Sequence, residues 1–269
     1  MLSVAFPVGA QNTSQQWTWC TNKDHAFTAD QSIGGCTALI QAGRETPKDM
    51  AMAFNNRGIG HASKDQYDRA IEDYDQAIRL NPSYAVAFNN RGIAYHNKGQ
   101  TDRAIADFDQ TIRLNPNFAD AFNNRGVAYR AKGQDDRAIE DFDQTIHLNP
   151  NKAEAFNNRA TAYRAKGQYD RAIEDYDRAL RLNPNYAAAF NNRGNAYNSE
   201  GQYGRAIQDY DEAIRLKPNE ATSFNNRCYA KASAGAAAKA LADCNEALRL
   251  MPGNAEFLDS HGFAYLKMR

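Results

Sequence analysis

The amino-acid sequence predicts an all-α fold, an α-solenoid built of helix-turn-helix repeats that are 34 residues long. One observation is the segment AFNNRG, which returns in register with small changes. Its six copies begin at Ala53, Ala87, Ala121, Ala155, Ala189 and Ser223. A second observation is a proline that returns with the same period, from Pro82 to Pro252. The third is a helical spacing of apolar residues in both halves of a unit. Since neither helix can bury its apolar stripe alone, we expect the units to stack.

The unit at residues 85–118 illustrates both halves. The stripe of its first half consists of Phe88, Arg91, Gly92 and Tyr95. Lys98-Gly99-Gln100 then predicts the end of a helix and a turn, because glycine readily adopts the left-handed backbone found at helix ends. The stripe of the second half consists of Ala104, Ile105, Phe108, Thr111 and Ile112. Pro116 closes the unit, because the residue before a proline is pushed out of the helical region.

In these positions the unit resembles the tetratricopeptide repeat, whose pattern of aromatic, small and proline residues it matches. The matching residues are Phe88, Gly92, Tyr95, Ala104, Phe108 and Pro116. The resemblance implies a right-handed solenoid and a role in protein–protein interaction. Six units are expected, at residues 51–84, 85–118, 119–152, 153–186, 187–220 and 221–254.

The segments outside the six units are less regular. Residues 13–50 are interpreted as a degenerate seventh repeat. Residues 255–269 restart the first half of a unit, and we expect a C-terminal helix there that caps the last repeat. A longer array that has been cut at this point is the alternative. Residues 1–12 are expected to be a signal-peptide remnant or a disordered N-terminus.

Four cysteines form two pairs with the same spacing. Cys20 and Cys36 are 16 positions apart, and so are Cys228 and Cys244. When the repeats of this chain are aligned with one another, each pair combines the small-residue column with the large aromatic column. Helices approach most closely at the small-residue column, which suits the short Cα separation of a disulfide. The sequence therefore predicts the disulfides Cys20–Cys36 and Cys228–Cys244, and four buried free thiols are the alternative.

The predicted disulfides bear on the compartment, because stable disulfides imply an oxidising environment. The apolar and small residues from Met1 to Ala10 resemble the end of a secretory signal, although a positively charged start is absent. These features favour a periplasmic or secreted bacterial protein. A cytoplasmic protein with an apolar start is the alternative.

Composition and motifs argue against several function classes. The 269 residues include 32 Lys and Arg and 32 Asp and Glu, and this zero net charge argues against binding nucleic acid by phosphate neutralisation. No apolar run reaches the length of about 20 residues that a membrane-spanning helix needs. The common catalytic motifs are absent and the five histidines are scattered. We therefore expect no enzymatic activity, no cofactor and no metal site.

Two asparagines precede the arginine of the first helix in all six units. The second asparagine points away from the packed stripe, and we expect all twelve copies to be exposed. In tetratricopeptide repeat proteins this position commonly contacts peptide in the concave groove. The resemblance therefore implies a peptide-binding ladder of Asn56, Asn90, Asn124, Asn158, Asn192 and Asn226. A carboxamide donates and accepts at once, so it can pair with a peptide backbone. The alternative is a structural network that ties adjacent first helices together.

Specificity is expected from columns beside the asparagines that change from unit to unit. One helical turn further on, the residues are Ile59, Ile93, Val127, Thr161, Asn195 and Tyr229. The edge of the groove next to them carries His96, Arg130, Arg164 and Asn198. With Lys98, Lys132 and Lys166 nearby, the middle units are expected to present a basic strip that would steer an acidic peptide. Within this set, Ile93, Val127, Arg130 and Arg164 are the predicted binding residues.

Two further columns carry charge. Asp75 precedes Arg79 by four residues, the favourable order for an ion pair on one helix, and the spacing recurs in later units. These pairs predict a solvated outer face. The arginine on the packing stripe is different, because a partly buried arginine needs a carboxylate. The sequence predicts a structural ion-pair column of Arg91, Arg125, Arg159 and Arg193, paired with the aspartates that begin at Asp73 or at Asp75.

The leading interpretation is a non-catalytic scaffold that holds an extended segment of a partner protein. The partner is expected to be a protein or peptide, with acidic character favoured, and no nucleic acid. The scaffold itself is expected to be a monomer or to self-associate weakly. Two other functions stay open, an RNA-binding helical-repeat protein and a structural protein whose repeats stack end to end.

Overall fold

The computed structural model describes residues 8–23 and 25–268, and every regular element in these residues is an α-helix. The helices are α1 (Val8–Thr21), α2 (Ala29–Ala42), α3 (Pro47–Ala62), α4 (Tyr67–Leu80), α5 (Ala85–Asn97), α6 (Thr101–Leu114), α7 (Ala119–Ala131), α8 (Asp135–Leu148), α9 (Ala153–Ala165), α10 (Tyr169–Leu182), α11 (Ala187–Ser199), α12 (Tyr203–Leu216), α13 (Ala221–Ser233), α14 (Ala237–Leu250) and α15 (Ala255–Leu266). The prediction of an all-α chain of tandem helix-turn-helix repeats is confirmed. The helices form two compact units, one ending at Gly133 and one beginning at Gln134.

The first unit contains α1 to α7. The helices that open its repeats, α3, α5 and α7, contact one another in sequence. Behind them, α4 and α6 each pack against the first helix of their own repeat and against that of the next. The pair α1 and α2 packs on α3. The face of α3, α5 and α7 that carries Asn56, Asn90 and Ile93 is called here the first-helix surface of this unit.

The second unit contains α8 to α15 and is built in the same way. The first helices α9, α11, α13 and α15 contact one another in sequence, and α8, α10, α12 and α14 pack behind them. The last helix, α15, packs against both α13 and α14, with Phe257 and Ala264 buried. The first-helix surface of this unit carries Asn192, Asn226 and Tyr229.

The helix α3 begins before residue 51, the predicted start of the first regular repeat. The side chain of Thr46 caps the helix, because its Oγ1 accepts a hydrogen bond of 3.2 Å from the backbone N–H of Asp49. Pro47 follows at the first helical position, where its missing N–H costs nothing. Together these residues start α3 earlier in the chain, closer to the helix pair α1 and α2.

The turn between the two helices of a repeat requires a left-handed backbone. Gly99 adopts it with φ of 74°, as the turn signal of the sequence predicts. In the first regular repeat the same position holds Asp65, with φ of 56°. Aspartate tolerates this conformation better than most residues, and the Asp65 carboxylate also accepts a hydrogen bond of 2.6 Å from the Tyr67 hydroxyl.

The small-residue column brings the two helices of a repeat into close contact. A Cβ placed on Gly92 would lie 2.7 Å from the ring of Phe108, so the glycine is needed for this approach. Ala160 holds the column in the repeat at 153–186 and is fully buried against a cluster that includes Tyr176. The repeat therefore adjusts the distance between its helices to the pair of residues that meet there.

Both cysteine pairs occupy this contact. The Cα atoms of Cys20 and Cys36 are 4.6 Å apart, and those of Cys228 and Cys244 are 5.3 Å apart. All four side chains are buried, and the two sulfur atoms of each pair lie at bonding distance. The geometry is therefore compatible with the two disulfides that the sequence predicts.

The predicted leader at residues 1–12 is described only in part. Residues 1–7 lie outside the described residues, and α1 begins at Val8. None of the helices in the described residues is long and apolar enough to span a bilayer.

Candidate functional site

The asparagine pairs lie on the first-helix surfaces, but their two members have different environments. The first asparagine is buried in several repeats, as Asn55, Asn89, Asn157 and Asn225 show. The expectation that all twelve asparagines are exposed is therefore wrong. The second asparagine is half-buried throughout and keeps part of its carboxamide accessible.

The buried and half-buried asparagines are hydrogen-bonded to each other between neighbouring repeats. In the first unit, Nδ2 of Asn90 donates to Oδ1 of Asn55 at 3.0 Å, and Nδ2 of Asn124 donates to Oδ1 of Asn89 at 3.1 Å. In the second unit the same bond joins Asn192 to Asn157 and Asn226 to Asn191, each at 3.1 Å. The structural network considered in the sequence analysis is thus present at these four rungs.

The network uses only part of the carboxamide of the asparagines that donate between repeats, whereas Asn55 and Asn157 are bonded through both ends of theirs. Asn90, for example, donates one N–H to Asn55, which leaves its second N–H and its carbonyl oxygen on the half-exposed side of the helix. The rungs can therefore tie the first helices together and still offer a donor and an acceptor to a ligand. We call these rungs the asparagine ladder.

An apolar pocket of about 300 Å³ lies beside the ladder in the first unit. Ile59 and Ile93 are 47% and 38% exposed and line it, together with Asn90, Tyr67 and Tyr74. Two residues of the predicted site, Asn90 and Ile93, are thus brought together in one pocket. An exposed isoleucine pair beside a polar ladder can receive an apolar side chain while the ladder pairs with backbone.

The equivalent column in the second unit is largely engaged within the protein. The hydroxyl of Thr161 donates to the backbone oxygen of Asn157 at 2.8 Å and lies 3.1 Å from the hydroxyl of Tyr176. The Tyr210 hydroxyl donates to Oδ1 of Asn195 at 2.7 Å. At Thr161 and Asn195 the side chain of this variable column is therefore hydrogen-bonded to a tyrosine of the second helix. Its variation follows contacts within the repeat as well as any contact with a ligand.

The predicted basic strip is reduced by ion pairs. Lys98 pairs with Asp68, Lys132 with Asp102, and Lys166 with Asp136, in each case with an aspartate of the preceding repeat. The expectation that these lysines add to the positive charge of the groove is wrong, because each has an acidic neighbour. Arg130 and Arg164 lie half-buried on the first helices α7 and α9.

The arginine column ties neighbouring repeats through both candidate aspartates. Nε and Nη2 of Arg91 donate to the two oxygens of Asp107 at 2.8 and 2.7 Å, and Nη1 donates to Asp75 of the preceding repeat at 2.6 Å. Arg159 and Arg193 repeat this arrangement in the second unit with the pairs Asp175 and Asp143, and Asp209 and Asp177. Arg125 donates to Asp109 at 2.6 Å.

This arrangement corrects the predicted outer face of paired charges. Asp75 does not pair with Arg79 on its own helix but with Arg91 of the next repeat. Arg113, four residues after Asp109, instead donates two hydrogen bonds to Gln110. Asp75 pairs with the arginine of the following repeat because that guanidinium is half-buried and is already held by a second aspartate. An exposed ion pair on one helix contributes little to stability.

Burial and pairing shift the pKa values of these groups. Desolvation raises the pKa of the Asp107 carboxyl, and the hydrogen bonds from Arg91 oppose this shift without cancelling it. Burial also opposes the charge of Arg91, but the hydrogen bonds and charges of Asp107 and Asp75 outweigh it and raise the pKa of the guanidinium. Arg91 therefore stays charged, and the column acts as a structural tie.

The structure adds functional candidates that the sequence reasoning missed. A pocket of about 440 Å³ at the end of the second unit is lined by Glu256, Asp259 and Phe263 of α15, in addition to Asn226 and Tyr229. One signal could have found Asp259, because it lies one period of 34 residues after Asn225 in the first-asparagine column. Within the described residues no group of three His, Cys, Asp or Glu side chains could hold a metal ion.

Comparison with known protein families gives a clear match. A family model described as "Tetratricopeptide repeat" matches residues 85–118, 119–152, 153–186 and 187–220. A second model, described as "TPR repeat", matches residues 61–99. Among curated proteins nothing matches the chain.

Several solved structures are similar in fold. A chain of the Cut9–Hcn1 assembly of the APC/C has 17% identity and a TM-score of 0.75, with 94% of this chain covered. This chain spans about half of that chain's length, at 52%. PilW, described as a type IV pilus biogenesis factor, has 18% identity and a TM-score of 0.73, with 78% and 97% of the two chains covered.

A third structure is YrrB, described as a TPR protein with an unusual peptide-binding site. It has 24% identity and a TM-score of 0.54, with 70% of this chain and 95% of that chain covered. At these identities the likeness shows the fold alone.

Proposed function

Because the chain belongs to the tetratricopeptide repeat family, we propose that it is a non-catalytic scaffold that binds an extended segment of a partner protein on its first-helix surfaces. The chain is a scaffold of tandem helical repeats, an architecture that suits protein–protein interaction. Solenoids of this kind present long surfaces on which a partner can lie in extended form.

The observation that carries the proposal is the half-used asparagine ladder. Asn90 and Asn124 in the first unit each spend one N–H on a neighbouring repeat and stay half-exposed. The remaining donor and acceptor repeat at the spacing of the helices, so they can pair with a polypeptide backbone rung by rung. Each such hydrogen bond contributes about 0.5–1.5 kcal/mol net, so several rungs are needed for useful affinity.

The surfaces beside the ladder set the chemistry of the partner segment. In the first unit, Ile59 and Ile93 favour an apolar side chain at the pocket they line. In the second unit, Nε of Arg164 is buried and has no hydrogen-bond partner among the described residues, which favours an acidic side chain or a carbonyl next to α9. YrrB, which is described as having an unusual peptide-binding site, has a similar fold and supports the general proposal of peptide binding.

The cysteine pairs support an oxidising compartment for the protein. We infer that Cys20–Cys36 and Cys228–Cys244 are disulfides in the native protein, since both pairs are buried with sulfur atoms at bonding distance. Such bonds persist in the periplasm or outside the cell and are rare in a reducing cytosol. The proposed scaffold therefore acts in an oxidising compartment.

The test starts from a peptide library, because no partner is assumed. Random peptides displayed on phage are selected against the oxidised full-length protein, and an enriched peptide is synthesised for hydrogen–deuterium exchange. The proposal expects added protection in the first helices, such as α5 and α11, with little change in α6 and α12. Protection confined to second helices would contradict it, and so would the absence of any enriched peptide.

Two control measurements separate the other functions. Affinity for single-stranded RNA that falls steeply with salt would favour an RNA-binding protein. A sedimentation coefficient that rises with protein concentration would favour self-association. Either result, together with a failed peptide selection, would replace the proposed function.

A further inference from the structure

The asparagine ladder has an open end at the last repeat. Its final rung joins Nδ2 of Asn226 to Oδ1 of Asn191 at 3.1 Å. The next rung would place a donor on Oδ1 of Asn225, but α15 has Ser260 one period after Asn226. Asn225 is only 2% exposed, and its Oδ1 has no hydrogen-bond partner within residues 8–23 and 25–268. A buried acceptor without a donor costs free energy, so this atom points to a ligand.

The ladder also indicates, by analogy with earlier rungs, which way the Asn225 carboxamide faces. In the same column, Oδ1 of Asn157 and Oδ1 of Asn191 both accept from the asparagine of the following first helix. The same orientation at Asn225 directs Oδ1 toward α15 and into the pocket of about 440 Å³. Asn198 also lines this pocket, and its Oδ1 is a second buried acceptor with no partner in the described part of the chain.

The wall of the pocket formed by α15 is acidic. Glu256 and Asp259 are exposed and line it, and neither forms an ion pair in the part of the chain that the structure describes. Among the neighbouring cations, Lys231 pairs with Asp243, and Lys267 lies over the ring of Phe263 at 5.4 Å. The charge of Arg164 acts on Tyr210, which also lines the pocket.

A flat aromatic pair completes the pocket. The rings of Tyr229 and Phe263 are stacked, with centroids 5.0 Å apart and planes inclined by 20°. Tyr229 remains 41% exposed, so one face of the pair is accessible. Such a surface accepts a planar cation, because the electron-rich face of an aromatic ring attracts positive charge.

We propose that this pocket, lined by Asn198, Asn225, Tyr229, Glu256, Asp259 and Phe263, binds the guanidinium group of an arginine side chain of the partner segment. The guanidinium carries five N–H donors and no acceptor, which matches a pocket with two unpartnered amide oxygens and two carboxylates. Its planar shape matches the aromatic pair. The inference rests on the proposed function, because it assigns a side chain to the partner that the first-helix surface holds.

Two capped tripeptides test the assignment on the oxidised full-length protein. They are acetyl-Gly-Arg-Gly-amide and its analogue with citrulline, which keeps the shape of the arginine side chain and removes the charge. Nuclear magnetic resonance follows the side-chain amide of Asn225 and the backbone amide of Tyr229. The arginine peptide should shift both signals and saturate, with an affinity about tenfold or more above that of the citrulline peptide.

Variants separate the pocket from a general effect of charge. The double variant Glu256→Gln with Asp259→Asn should weaken the arginine peptide about tenfold, because two exposed carboxylates facing the guanidinium are neutralised. Asp170→Asn is the matched control, since Asp170 is an exposed carboxylate of the same unit outside the pocket, and it should leave the affinity unchanged. Asn225→Ala should also weaken binding, and it removes no hydrogen bond of the ladder.

Three results would overturn the assignment. Equal affinity for the arginine and citrulline peptides is one, and an affinity that the double variant does not change is another. The third is a shift of the same signals with protein concentration alone, because a second copy of the chain would then fill the pocket. If the tripeptides fail while a selected peptide still protects the first helices, only the arginine pocket is wrong. Failure of both measurements would contradict the proposed function.

Discussion

Asn90 donates a hydrogen bond of 3.0 Å from its Nδ2 to Oδ1 of Asn55, which lies one repeat earlier on the neighbouring first helix. The bond joins a half-exposed side chain to a buried one. It satisfies the buried oxygen and holds the other half of the Asn90 carboxamide at the surface. A single residue type thus supports the contact between repeats and supplies polar groups to the candidate binding surface.

The arginine column should contribute strongly to stability. Arg91→Met would leave Asp107 buried and without its bidentate partner, so we expect a loss of about 3–5 kcal/mol in the free energy of unfolding, measured by urea denaturation. Arg113→Met is the control, because Arg113 is exposed and its hydrogen bonds in the described residues go to Gln110, and it should cost less than about 0.5 kcal/mol. The double variant Arg91→Met with Asp107→Asn should recover part of the loss. Strictly additive losses would contradict a coupled pair.

The close approach at Gly92 predicts a second effect on stability. Gly92→Ala places a methyl group 2.7 Å from the ring of Phe108, and we expect a loss of about 1–3 kcal/mol from overpacking. A variant with Gly99→Ala tests a different cause, the positive φ of 74° at the turn, and no side chain would be crowded there. Combining Gly92→Ala with Phe108→Leu should relieve the first loss and leave the second unchanged. Thermal unfolding followed by circular dichroism distinguishes these outcomes.

Alkaline pH should destabilise the folded protein through a buried tyrosine. Burial, with a smaller contribution from Asp73, raises the pKa of the Tyr74 hydroxyl above its ordinary value of 10.0. In the unfolded chain this phenol loses its proton first, so stability is full below pH 10.0 and falls as the pH rises above it. Tyr74→Phe should flatten this fall at little cost near neutral pH, because Phe108 fills the same column in the next repeat. An unchanged alkaline slope in the variant would contradict the assignment.

The cysteine pairs predict the thiol content of the native protein. Titration of the protein unfolded without reductant should find no free thiol, and peptide mapping without reduction should recover Cys20 with Cys36 and Cys228 with Cys244. Reduction should lower the melting temperature, because each bond closes a short loop and contributes about 3 kcal/mol in the chain-entropy model. Four titratable thiols, or cross-pairing between the two ends, would contradict the inference.

Much of the fold follows from the period of the sequence, since every repeat carries the same stripe, turn and proline. The hydrogen-bond and ion-pair partners of the polar columns were harder to predict from the sequence. Asp75 and Arg79 have favourable spacing on one helix, yet Asp75 pairs with Arg91, because stacking brings a half-buried guanidinium within 2.6 Å. The lysines that follow α5, α7 and α9 are paired with aspartates of the preceding repeat for the same reason. Contacts between repeats depend on how far neighbouring helices are offset, and a periodic sequence does not state that offset.

The candidate site was predicted in part. The sequence placed Asn90 and Ile93 on one surface, and the structure brings them into one pocket. The sequence selected the second asparagine for the ladder, but it did not predict that the first asparagine is buried in several repeats, because that burial depends on the neighbouring repeat. Asp259 and Phe263 were missed because α15 departs from the consensus at the asparagine column. The open end of the ladder becomes visible only once the direction of its hydrogen bonds is known.

The most direct test of the account compares two asparagines that share one hydrogen bond. Asn192→Ala and Asn157→Ala each remove the bond of 3.1 Å between α11 and α9, which should cost about 1 kcal/mol of stability. Asn157→Ala also removes the bond of 3.5 Å from its Nδ2 to Oδ1 of Asn158, so it should be the less stable of the two variants. Only Asn192 is half-exposed, while Asn157 is buried. For a selected peptide whose exchange footprint includes α11, calorimetry should give an affinity for Asn192→Ala that is lower by about threefold to tenfold, with Asn157→Ala within about twofold of the wild type. Equal affinities in the two variants would mean that the ladder only ties repeats together, and would contradict its role in binding.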